Sequence, residues 1–226
     1  MAAANPPTIQ ALTPSAVKAV NGAGEPLQGL LESRDETGVL RLQSHFVDGK
    51  LHGLLTSFDE KGQRVQEAPY VCGLQQGKTR LYADGHLFAE RPYKGGVLQG
   101  EALTYASSGA VSARQPYVAG ALEGESLFYH LGQLVRSERH VLGLLEGRCR
   151  EYGPDGQMVQ QSHYKKNLLD GVLTRYWPDG GAMEVWNFRA GKLDGVVKRF
   201  APDGREITAS ADKLSFMQRV EKLVKG

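Results

Sequence analysis

A recurring glycine constrains this chain more than any other feature. It stands at Gly53, Gly77, Gly100, Gly124, Gly147, Gly171 and Gly195, at steps of 24, 23, 24, 23, 24 and 24 residues. Other positions keep time with it. Four residues earlier stand Gly49, Gly73, Gly96, Gly120, Gly143 and Gly191, with Asn167 in place of glycine once. Asparagine is a residue that tolerates positive φ. Two residues before the anchor is leucine (Leu51, Leu98, Leu122, Leu145, Leu169, Leu193), except for Gln75. Five after it is always an aromatic: Phe58, Tyr82, Tyr105, Tyr129, Tyr152, Tyr176 and Phe200. Seven before it is another, with His140 the exception. A further glycine falls nine after the anchor in five units and eight after in two, Gly85 and Gly132. Those two short turns account for both 23-residue steps.

A fixed period of this length marks a repeat array. Each unit reads as a β-hairpin, clearest over 187–210, where a β-branched run leads into Pro202, Asp203 and Gly204. Asp-Gly is the strongest short-range hairpin signal, and it predicts φ > 0 at both central turn residues. One hairpin is not stable alone, so the units must support each other. Seven units cover residues 45–210, and a degenerate capping unit, with Arg34 where the aromatic belongs, covers 21–44. The expected fold is all-β: one elongated, single-layer, curved array of antiparallel hairpins, roughly 70–80 Å long at about 10 Å per repeat. Residues 1–20, with Pro6, Pro7 and Pro14, read as a flexible leader. Residues 211–226 carry Leu214, Met217, Val220 and Val224 at helical spacing and read as a short amphipathic helix capping the last edge.

Composition excludes several function classes. A formal charge of +2 is too small for a non-specific nucleic-acid binder. No apolar stretch is long enough to span a bilayer, and the start lacks a secretory signal pattern. Cytoplasm is the expected compartment. Cys72 and Cys149 lie about three repeats apart, roughly 30 Å, too far for a disulfide. Asp84, Asp155, Asp179 and Asp203 precede turn glycines, where aspartate has a local structural use. His140 and His163 can be neighbours, but two ligands make no zinc site. No nucleophile elbow, P-loop or dinucleotide fingerprint occurs. The expectation is therefore no catalytic residue, no cofactor and no metal. Large side chains at variable positions are the candidates for partner binding: Arg80, Phe128, Arg150, Glu151, Arg175, Trp177, Trp186 and Arg199. The two tryptophans read equally well as packing residues.

The segments YKKNLLDGVLTRYWPDG (164–180) and FRAGKLDGVVKRFAPDG (188–204) resemble the MORN-type repeat, and more narrowly its variant in bacterial YwqK-type antitoxin proteins. The resemblance implies an elongated stack of antiparallel hairpins. It also implies protein–protein binding, often as an antitoxin or immunity protein that neutralises a cognate toxin. A type VI secretion effector is one such toxin, and a cytoplasmic site favours a nuclease or another cytosol-acting one. The alternative is a lipid-associated or self-assembling scaffold module. Near-balanced charge around Arg189–Arg199 argues against membrane binding.

Overall fold

The computed structural model describes residues 19–207. The leader up to residue 18 and the helix expected over 211–226 lie outside the described residues. Within them every regular element is a β-strand, and every strand pairing is antiparallel. The single domain expected from the period divides by contact into two compact units. One ends at Gly109 and includes Tyr117–Gly120; the other holds Ala110–Pro116 and continues from Ala121. In the first unit Gly29–Arg34, Leu40–Val47, Gly53–Phe58, Arg64–Val71, Gly77–Ala83, His86–Lys94 and Gly100–Tyr105 pair in chain order. In the second, Gly124–His130, Gln133–Val141, Leu144–Tyr152, Met158–Lys165, Gly171–Tyr176, Ala182–Arg189, Lys198–Phe200 and Glu206–Ile207 do the same.

Each repeat has a kink at its anchor glycine. Tyr70 faces Gln75, yet Glu67 faces Arg80, so three steps on one strand match five on the other. This is a bulge, and it bends the strand that carries it. Backbone φ at the seven anchors runs from 92° to 116°, a region closed to most side chains. At Gly171 (φ 116°) a Cβ would also lie 3.2 Å from the Cβ of His163. That is why only glycine recurs here.

Four residues earlier is a tight two-residue turn. Cys72 and Gly73 sit at φ 49° and 84°, and Ala190 and Gly191 at 48° and 79°, the signature of type I′. In five of these turns both amides are satisfied by the preceding repeat. The Gly73 N–H donates to the Leu51 carbonyl at 2.8 Å, and Gly191 does the same to Leu169 at 2.8 Å. The other amide finds a side chain just before the preceding anchor. Gly95 donates to Gln76 Oε1, Leu142 to Glu123 Oε2 and Lys166 to Glu146 Oε2, each at 2.8 Å. Through these exposed hydrogen bonds the column of Gln, Glu and Asp ties repeat to repeat.

Three of the four Asp-Gly turns correct the sequence expectation, and Asp84–Gly85 meets it. At Pro202–Gly204 only the glycine has positive φ, at 83°. The Gly204 N–H donates to the Ala201 carbonyl at 2.9 Å, and Asp203 Oδ1 accepts the Arg205 N–H at 3.1 Å. This is a type I turn closed by a left-handed glycine, and proline at its second position suits its fixed φ. The two short turns are the type I′ ones: Asp84 and Gly85 at 49° and 77°, Leu131 and Gly132 at 50° and 80°. One residue fewer per loop gives the 23-residue steps.

Two residues after the anchor lies a buried column: Leu55, Thr79, Ala102, Ser126, Cys149 and Leu173. The four inner members are small, with a leucine at either end. They lie on one side of the sheet, the ladder side, with the aromatics seven before the anchor. In the second unit Leu173, Trp186 and Phe188 form a core cluster against Leu169 and Val197. The departures from the pattern are repaired locally. His140 Nδ1 lies 3.3 Å from Ser126 Oγ. Asn167 accepts the Leu145 N–H at 2.7 Å and returns its own N–H to the Leu145 carbonyl at 3.1 Å.

Candidate functional site

Cross-strand register brings four of the eight sequence candidates into one row. On the ladder side of the second unit Phe128 lies opposite Arg136, Arg136 opposite Glu151, and Glu151 opposite Gln160. Gln160 lies opposite Arg175, Arg175 opposite Glu184, and Glu184 opposite Arg199. Seven strands at about 4.8 Å make a row about 30 Å long. Sequence reasoning found Phe128, Glu151, Arg175 and Arg199, which stand four after an anchor. It missed Arg136, Gln160 and Glu184, which stand eleven before one. The two columns interleave only once the register is known.

Four of its members are held by ion pairs. Glu184 bridges two arginines, with Arg175 Nη1 and Arg199 Nε each 3.3 Å from one of its carboxylate oxygens. Arg136 Nη2 lies 2.6 Å from Glu138 Oε1. The two guanidiniums beside Glu184 keep 45% and 37% of their side-chain surface exposed, so they are positioned yet open to a partner. Beneath the row, burial pushes the Cys149 thiol above its ordinary range; a hydrogen bond with Arg136 pulls it back only in part. Burial raises the Tyr164 phenol as well. Cys72, by contrast, is an exposed free thiol at a turn. Iodoacetamide at mildly alkaline pH therefore modifies one of the two cysteines, Cys72, in the native protein and both after denaturation, read by intact mass. Equal native modification of both would contradict the burial of Cys149.

The other four candidates go elsewhere. Arg80 belongs to a paired cluster on the reverse side of the first unit. Its Nε is 3.3 Å from Glu90 Oε1, and Lys78 Nζ is 3.0 Å from Glu90 Oε2. There burial would raise the Glu67 carboxyl, but the Tyr82 hydroxyl and Arg64 hold it below its ordinary value. Arg150 lies on the reverse side of the second unit, 3.7 Å from Glu125. The Trp177 indole N–H donates to the Phe200 carbonyl at 3.1 Å, clamping one hairpin to the next. Trp186 is 5% exposed and belongs to the core.

The equivalent row in the first unit decides what the charges mean. Ser57, Gln66, Leu81, Ala89 and Thr104 occupy it, in the same register, and none is charged. Residues 51–71 and 145–166 match the family model described as a MORN repeat variant. Two stretches of this chain are thus similar to the MORN repeat variant. One lies in each unit, and both contain the anchor bulge and the turn described above. The first matching stretch builds its row with Ser57 and Gln66, the second with Glu151 and Gln160. The repeat thus tolerates either chemistry. No curated protein matches the chain.

Proposed function

We propose that this protein binds another protein through the charged row of its second unit, and acts by binding rather than by catalysis. One observation carries this reading: the first unit forms the same row without charge, so Arg136, Glu151, Arg175, Glu184 and Arg199 are not needed to make the sheet. Exposed arginines fixed by carboxylates are common interface anchors, because little freedom is left to lose on binding. MORN repeats as a class serve protein and membrane binding, which supports the coarse form of the proposal.

The narrower proposal is an immunity protein or antitoxin of the cytoplasm. It neutralises a cognate toxin, a nuclease or a secreted effector, by stoichiometric occlusion. A rigid sheet presenting a 30 Å row (about six strand spacings) fits one partner's share of a standard interface. Deleting the gene then harms growth only while the toxin gene is intact. Complementation by wild type restores growth; complementation by Arg175→Glu with Arg199→Glu does not. Equal growth with and without the toxin gene would overturn the immunity reading. Full rescue by the charge-reversed variant would overturn the site.

A further inference from the structure

The reverse side of the second unit has a charge imbalance that the net charge of +2 conceals. Arg139, Arg148, Arg150, His163 and Lys165 lie on three consecutive strands and share that side by alternation. Arg148 lies directly opposite His163. Acids close by in sequence are committed elsewhere: Glu123 and Glu146 accept turn amides of the next repeat at 2.8 Å. Glu138 and Glu151 point to the ladder side, where Glu138 pairs with Arg136. Among the described residues the one acid reaching this cluster is Glu125, 3.7 Å from Arg150 and itself 53% exposed. Arg139 and Arg148 have no ion-pair partner among the described residues. Leu144, Leu168 and Val172 border the patch on the same side, 39–50% exposed.

We infer that this patch is a second docking surface, for an acidic protein segment carrying aliphatic side chains. Charge complementarity selects an acidic occupant. Three of the five basic groups are arginines, which protein interfaces favour over lysine. Bordering aliphatics give such a segment an apolar footing. Nucleic acid fits less well. The aromatics of this side, Tyr129, Tyr152 and Tyr176, are half-buried rather than presented for base stacking. This surface is separate from the charged row, so either can fail without the other.

The test uses the full chain and a fluorescein-labelled peptide rich in glutamate and leucine, read by anisotropy. The wild type binds it, and raised salt weakens binding. Arg139→Gln/Arg148→Gln/Arg150→Gln binds about tenfold more weakly, and Arg148→Gln alone falls between. Lys50→Gln/Lys61→Gln/Lys94→Gln, which removes as many exposed cations elsewhere, leaves binding unchanged. Melting curves confirm folding, and Arg148→Gln serves if the triple variant does not fold. Equal weakening by the lysine variant would overturn the proposal. So would tighter binding of single-stranded DNA or phosphatidylserine vesicles than of the peptide.

Discussion

Replacing Trp186 by alanine lowers the stability of the protein by about 3–5 kcal/mol, the usual cost of emptying a large aromatic from a core. Trp186 is 5% exposed, faces Leu173 across the strand pair and packs with Phe188. The second unit is thin, and this is its one cluster of large buried apolar side chains among the described residues. At equivalent depth in the preceding repeats stand Ser162 and Cys149, side chains too small to fill the cavity. Charge reversal at Arg175 and Arg199 changes stability by less, about 1 kcal/mol or under for each exposed pair. Urea unfolding resolves the difference. A Trp186→Ala midpoint equal to that of the arginine variant would show that the cluster is not what holds this unit.

Gly171→Ala is the second large effect, about 3 kcal/mol. Part is backbone strain at φ 116°, about 1–3 kcal/mol. The rest is the contact a new Cβ makes with His163 Cβ at 3.2 Å, an atom bonded directly to the backbone that no rotamer change moves away. Gly195→Ala is the internal control. Its φ is 92°, but no described atom lies within 4 Å of the added carbon, so it bears strain alone, about 1–2 kcal/mol. The melting temperature falls by about 6–12 °C in the first and roughly half that in the second. Equal shifts would remove the close approach from the explanation and leave backbone strain only.

The period was legible because three glycines per repeat sit at positive φ, where other residues do not substitute freely. Asn167, the one replacement, still sits at φ 68°. The aromatics were legible for a similar reason: each occupies a fixed site. What escaped was chemistry that varies while geometry does not. The buried column runs through Leu55, Thr79, Ala102, Ser126, Cys149 and Leu173, alike in fitting a tight space and unlike in polarity. The acceptors at Gln76, Glu123, Glu146 and Asp170 look like ordinary surface residues until their turn-amide partners 19 or 20 residues on are known. Non-glycine residues at the first turn position, such as Cys72 and Leu142 at φ 49° and 51°, carry no left-handed signal of their own. The charged row failed to appear for a third reason. Arg136 and Glu151 are 15 residues apart, Gln160 and Arg175 also 15, but Glu151 and Gln160 only 9. Register alone makes them neighbours.

Separation of the row from the fold is the claim on which the functional account rests. Isothermal titration of a partner protein recovered by pull-down with the wild type, into wild type and into Arg175→Glu/Arg199→Glu, tests it most directly. The account predicts one-to-one binding by the wild type. It predicts binding at least about tenfold weaker by the variant, with a melting temperature nearly unchanged. Identical isotherms for the two proteins would contradict it.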